Sequence, residues 1–170
     1  SKGIEEAIRH CVTLEYGEVT DITPDMRLTL ENAGHILGSA LAHIHIGEGL
    51  HNLLYTGDLK FTTTRLFDPA STNFARVESL IIESTYGHPH YNFPERSSVY
   101  RQVLEYCRQL IDLGYKVNVL GRPLGTAQEL TTLFSYSSFN LYPVVHPVIA
   151  RINKVYEKYG ENLGTYRILT

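Results

Sequence analysis

The sequence predicts an α/β protein, and three observations carry that expectation. Short apolar alternations separated by glycine turns fill the first half. The second half alternates strand-like runs with helix-periodic segments. The change of style falls near Gly87. Strand and helix in alternation mean a parallel sheet covered by helices.

Ser1 is expected to cap a short helix whose Ile4, Ala7, Ile8 and Cys11 share one face. Arg27 to Glu31 alternates as a strand, with Leu28 and Leu30 inward. Ala40 to Ile46 and His51 to Tyr55 read as two strands joined through Gly47-Glu48-Gly49, a hairpin signal. Loops begin at strand ends, over 31–39 and 56–58. Leu80-Ile81-Ile82-Glu83 has the pattern of a buried strand.

Pro94 suits the first turn of a helix with Val99, Val103, Leu104, Cys107, Leu110 and Ile111 on one face, stopped by Gly114. Lys116 to Leu120 reads as a strand, and Thr126-Ala127-Gln128-Glu129 as a capping box opening the next helix. Tyr142 to Val145 is a third strand. Pro147 then starts a helix running to about Tyr159 before Gly160.

Composition narrows the function classes. With 170 residues, 43% apolar and 19% charged, the chain reads as an ordinary soluble globular protein of one domain or two partial ones. No apolar run approaches the roughly 18 residues of a membrane span, so no membrane partner is expected. No secretory signal opens the chain, and it starts at Ser1, which suggests the interior of a longer protein. Two distant cysteines, Cys11 and Cys107, form no metal-spaced pair. They are expected as small buried residues in a reducing cytoplasm. Residues 1–87 hold 6 Lys/Arg against 12 Asp/Glu, a net of −6, whereas 88–170 hold 9 against 6, a net of +3. An acidic half suited to cations precedes a mildly basic half suited to phosphates.

Three segments end strands beside a glycine and present a polar side chain: Asn32-Ala33-Gly34-His35, Tyr55-Thr56-Gly57-Asp58 and Glu83-Ser84-Thr85-Tyr86-Gly87. Imidazole or carboxylate at a strand end is a usual way to build a metal site. Singly they are weak signals. In this order and spacing, Asn32 to Ala40 resembles the third metal-ligand motif of the metallo-β-lactamase nucleases, and Tyr55 to Asp58 the fourth. Glu83 to Gly87 resembles the acidic motif that opens the β-CASP insertion, and Leu124 to Glu129 a further segment of it. The chain is thus similar to the metallo-β-lactamase/β-CASP ribonucleases, in particular the archaeal homologues of the cleavage and polyadenylation specificity factor.

That resemblance implies part of an αββα metallo-β-lactamase sandwich over 1–87, followed by the first part of a parallel β-CASP insertion over 88–170. It implies His35 as a ligand of one zinc and Asp58 as the carboxylate bridging two. Glu83 would bind no metal but orient a histidine acting as general acid. Two zincs can hold a hydroxide nucleophile and neutralise phosphate charge. The family's upstream His-x-His-x-Asp-His segment is not in this sequence, and its late histidines would lie beyond Thr170. The chain supplies at most two of the metal ligands, and alone it is expected to be inactive.

His43-Ile44-His45 also places two rings on one strand face, yet the resemblance puts it on a framework strand. Packing is the better reading. His88-Pro89-His90 lies in a loop where solvated or substrate-facing roles are both open. Lys60, Arg65 and Arg122 are candidate RNA contacts beside the ordinary reading of surface charge. Departures come late: Thr126 stands where the family usually has arginine, and Val145-His146-Pro147 where related archaeal proteins show an Asp-Gly pair.

The implied activity is zinc-dependent hydrolysis of RNA phosphodiesters in 3′-end processing or transcription termination. It is endonucleolytic, with 5′ exonucleolytic cleavage also allowed. RNA is the expected partner, with a homodimer as a second expectation. The rival readings are a non-catalytic RNA-binding or assembly subunit, and a small-molecule hydrolase such as a thioesterase or lactamase. The β-CASP-like segment after Gly87 speaks against the last.

Overall fold

Alternating apolar residues and positive-φ glycines set the first half's layout. The structure, a computed structural model, describes residues 2–47, 49–139 and 142–170. It is mixed α/β, with a mostly antiparallel sheet and four helices. The chain divides into two units. The first comprises residues 1–34, 38–61 and 69–83, and the second residues 35–37, 62–68 and 84–170.

The first unit opens with helix α1 (Lys2–Arg9), followed by β1 (Val19–Thr23), β2 (Met26–Asn32), β3 (Ala40–Ile46), β4 (His51–Tyr55) and β5 (Ser79–Ile81). The strands form one sheet in sequence order, antiparallel through β4, with β5 parallel to β4. The β3–β4 hairpin has the expected bounds. Ile46 pairs with His51, and the Leu50 N–H donates to the Gly47 carbonyl at 2.7 Å across a turn whose Gly47 and Gly49 have positive φ. The middle residue of that turn signal, Glu48, and the expected cap Ser1 lie outside the described residues. Ala33, Leu41 and Leu54 form the core, with Leu59, Phe74 and Val77 packed on it.

Several expectations for this unit are corrected. On β2 the buried residue is Thr29, while Leu28 and Leu30 are half-buried, because Thr29 pairs with the buried His43 of the central strand. Leu80, Ile81 and Ile82 are 55, 52 and 52% exposed rather than buried. β5 is the sheet's edge, paired only with β4, and an apolar strand without a covering layer stays open to solvent. Helix α1 forms, but its Ile4 and Ile8 remain exposed, and so does Cys11. A one-sided helix buries its stripe only against a partner.

The second unit contains α2 (Arg96–Asp112), α3 (Thr126–Ser135), β6 (Val144–Val145), α4 (Pro147–Lys158) and β7 (Arg167–Ile168). Glu95 caps α2, its carboxylate accepting from the Ser98 N–H, so Pro94 precedes the cap instead of opening the first turn. Of the expected apolar stripe, Cys107 is buried, Val103, Leu104, Leu110 and Ile111 are half-buried, and Val99 is exposed. At its end Leu113 and Gly114 donate to the Gln109 and Ile111 carbonyls, with Gly114 at φ 84°. The cap of α3 is Gly125 rather than Thr126. Gln128 reaches back to the Gly125 N–H at 2.7 Å, which is half of a capping box moved one residue earlier. His146 caps α4 through the Val148 N–H.

Lys116 to Leu120 is not a strand, and Leu120 is almost wholly exposed. Strand propensity needs a ladder partner to act, and β6 pairs instead with β7, in parallel. That two-stranded sheet stands where three parallel strands were expected, and it shortens the Tyr142–Val145 strand to Val144–Val145. The interior of this unit is polar at its centre. Fully buried Gln128 donates from Nε2 to the Pro123 carbonyl at 3.1 Å and to Asn153 Oδ1 at 2.9 Å, beside Leu133, Tyr156 and Leu163.

Candidate functional site

Asp58 stands three residues beyond β4, and its position follows from a chain of backbone contacts. The Thr56 N–H donates to the Ile81 carbonyl at 3.0 Å, carrying the β4–β5 ladder one residue further. Gly57 then turns the chain at φ 52°, a left-handed conformation that disfavours side chains. Buried Thr56 donates its hydroxyl to the Gly57 carbonyl at 2.8 Å and accepts from the Glu83 N–H at 3.2 Å. The Glu83 carboxylate accepts from the Leu59 N–H at 2.8 Å, the residue after Asp58. The two acidic segments are therefore tied together within the first unit. Asp58 itself is exposed and Glu83 half-buried.

The strand end that precedes His35 is held as tightly. Asn32 Oδ1 accepts from the Gly34 N–H at 2.9 Å, an Asx-turn, and the Ala33 N–H donates to the Ser39 carbonyl at 3.1 Å to close the loop. The Tyr16 hydroxyl also donates to that Ser39 carbonyl, at 2.9 Å, and burial raises the Tyr16 pKa. The Lys60 N–H donates to the Ala33 carbonyl at 2.9 Å, so within the first unit the Asp58 loop and the Asn32 turn are linked through backbone. His35 is half-buried and groups with the second unit.

Thr56 and Asn32 are positioning residues that sequence reasoning did not single out. Their signal was present: each is a short hydrogen-bonding side chain one or two residues before a glycine at a strand end.

Of the other candidates, Lys60 is half-buried and Arg65 exposed, the latter with its guanidinium 5.3 Å from the Tyr100 ring centre. Arg122 is exposed, and its carbonyl accepts from the Ala127 N–H at the start of α3. His43 packs in the sheet: it is 4% exposed, its ring 4.2 Å from that of His45, and its Nε2 has no hydrogen-bond partner among the described residues. His45 Nδ1 lies 2.7 Å from Asn52 Oδ1. Asn52 in turn donates from its backbone and side chain to Glu78 at 2.7 and 2.9 Å, which, with Arg76 at 2.6 Å, lowers the Glu78 pKa. His88 and His90 are exposed, their tilted rings 4.4 Å apart, beside an aromatic cluster of Tyr86, Tyr91 and Phe93.

Imidazole and carboxylate are donor types that zinc prefers, so His35 and Asp58 fit that ion in kind. In number they fall short. Among the described residues no group of three or more His, Cys, Asp or Glu is gathered to hold a metal. Nor is any helix long and apolar enough to cross a membrane.

No family model matches the chain. It is similar to curated relatives, however. It is 44% identical over 168 residues to the transcription termination factor FttA of Methanocaldococcus jannaschii, covering 96% of this chain and 26% of that protein. It is 52% identical over 130 residues to the FttA of Thermococcus kodakarensis, covering 76% and 20%. It is 43% identical over 129 residues to that of a Lokiarchaeum species, again covering 76% and 20%. The chain thus spans a fifth to a quarter of the length of these relatives.

Proposed function

We infer that the chain belongs with the archaeal transcription termination factors named FttA along the stretch it shares with them. From that premise we propose that it forms part of a zinc-dependent phosphodiesterase that cuts RNA during 3′-end processing or transcription termination. In this reading residues 1–87 belong to a metallo-β-lactamase domain and 88–170 to the first part of a β-CASP domain. The protein works in the cytoplasm on RNA, with a homodimer as its proposed assembly.

What supports the reading most is the link between the acidic segments. The segments carrying Asp58 and Glu83, at separate strand ends, are tied by the Glu83 N–H to Thr56 and by the Leu59 N–H to the Glu83 carboxylate. His35 and Asp58 are the proposed zinc donors, and the remaining ligands come from residues outside this sequence. When bound, zinc supplies Lewis-acid stabilisation of phosphate charge and an acidified water. Within the chain, Asp58 offers a carboxylate from a loop that Gly57 turns and in which Glu83 accepts from the next residue's N–H. Glu83 accepts a backbone N–H with one oxygen, which fixes the orientation in which its carboxylate would meet the proposed acid histidine.

A second reading, a non-catalytic RNA-binding or assembly subunit, is favoured by His146. By the resemblance, Val145-His146-Pro147 would replace an Asp-Gly pair of related archaeal proteins, and His146 serves here as the helix cap of α4. One experiment separates the two. Full-length protein with added zinc is incubated with end-labelled single-stranded RNA, beside Asp58→Ala. The enzyme reading expects cleavage that falls more than about 100-fold in the variant. RNA binding with no cleavage in either protein would establish the second reading.

A further inference from the structure

The second unit carries an open groove of about 580 Å³ along one face of α2. Its lining combines three arginines, Arg65, Arg101 and Arg108, with the rings of Tyr100 and Phe139, against a single carboxylate, Glu105. Arg101 and Arg108 lie seven residues apart, two helical turns, and so share a face. Arg65 comes from the separate segment 62–68 of the same unit.

Two of the groove's three arginines are held near aromatic rings. The Arg65 guanidinium lies 5.3 Å from the Tyr100 ring centre, and that of Arg108 5.8 Å from Phe139. Tyr100 is fixed from its other end, its hydroxyl donating to Glu129, which also pairs with Arg96 at 3.0 Å. Arg108 is steadied by Asp112, with both carboxylate oxygens 3.0 Å from its Nε. A guanidinium stacked on a ring keeps its outward edge for hydrogen bonds and its plane for stacking. Phosphate and base are the two groups that use both. We infer that this groove binds single-stranded RNA, with phosphates on Arg65 and Arg101 and a base stacked against the Phe139–Arg108 pair.

The inference deepens the proposed function, on which its choice of RNA rests, and uses residues other than His35, Asp58 and Glu83. A single strand is favoured over a duplex because paired bases do not expose their faces to aromatic side chains. Exposed arginines can be replaced with little effect on folding, so the site can be tested cleanly.

The test is fluorescence anisotropy of a labelled 12-nucleotide single-stranded RNA with full-length protein over a salt series. The variants are Arg65→Gln/Arg101→Gln, Phe139→Ala and, as an exposed control off the groove, Arg151→Gln, each checked by circular dichroism. The double variant should lose about 10-fold or more in affinity, and its slope of log affinity against log salt should shrink by about 1.4 for two lost phosphates. Phe139→Ala should lose at least about 5-fold. Arg151→Gln should bind like wild type, and a duplex of equal length should bind more weakly than the single strand. Unchanged affinity and slope in the double variant, or an equal loss in Arg151→Gln, would overturn the groove while leaving RNA as the substrate. Wild type that binds no RNA at any salt would overturn both.

Discussion

Glu83 and Leu59 are joined by a 2.8 Å hydrogen bond from a backbone N–H to a carboxylate, which anchors the Asp58 loop from its far side. Glu83 thereby has a structural duty as well as the proposed duty of orienting an acid histidine. The two duties come apart by substitution. Glu83→Gln keeps an oxygen able to accept from Leu59, so full-length protein should retain its zinc and cleave RNA more slowly, because the acid loses its charged partner. Glu83→Ala leaves the Leu59 N–H unmatched and frees the loop, so zinc content should fall as well. Zinc retained in Glu83→Ala would show that the anchor is dispensable.

Gln128 is the hinge of the second unit's interior. It accepts from the Gly125 N–H and donates to Pro123 and Asn153 while fully buried. Gln128→Leu keeps approximate volume but strands these groups, so stability should fall by about 2–4 kcal/mol. Urea unfolding of wild type and variant measures this, and a change below about 0.5 kcal/mol would mean the network is replaceable by packing.

Burial, and next to it the neighbouring His45, lower the His43 pKa; the Arg76 backbone, Glu31 and Glu78 oppose them. With the folded value below the unfolded value of about 6.5, the unfolded state takes up the proton first. This contribution to stability is full above about pH 6.5 and is lost as pH falls toward the folded pKa. His43→Leu should flatten the pH dependence of stability in that window. It should leave zinc content and RNA cleavage unchanged, since the ring packs within the sheet at 4% exposure. Loss of zinc on this substitution would return His43 to the list of ligands.

The sheet was legible where one strand's pattern met its neighbour's. β3 and β4 were readable to the residue because alternation, a glycine turn and antiparallel pairing all constrain the same atoms. Leu80 to Ile82 and Ile4 with Ile8 were readable as elements but not in their burial, since apolar character states what a segment can bury and not whether a layer covers it. Lys116 to Leu120 failed for a related reason: β6 took β7 as its partner, about twenty residues on, where two short residues gave little pattern to read. The candidate motifs were legible, while their tie through the Leu59 N–H was not, because a backbone donor leaves no trace in side-chain chemistry.

Ligand number gives a prediction for these 170 residues purified alone. Zinc takes three or more protein ligands even where it catalyses, and no such group is gathered among the described residues. Single-stranded RNA with added zinc should remain uncut. The exposed edge strand β5 and the bare face of α1 should promote self-association, visible by light scattering as a mass above the 19.2 kDa monomer. Zinc-dependent cleavage by the isolated chain would mean that its own residues complete the site.

Asp58 is the proposed zinc carboxylate, on a loop tied to Glu83 through the Leu59 N–H. Zinc per chain, measured by mass spectrometry of metal in full-length protein after dialysis, tests it most directly. About two zincs per chain are expected in wild type, the same in Glu83→Gln, and a fall of both together in Asp58→Ala. Wild-type stoichiometry retained in Asp58→Ala would contradict it.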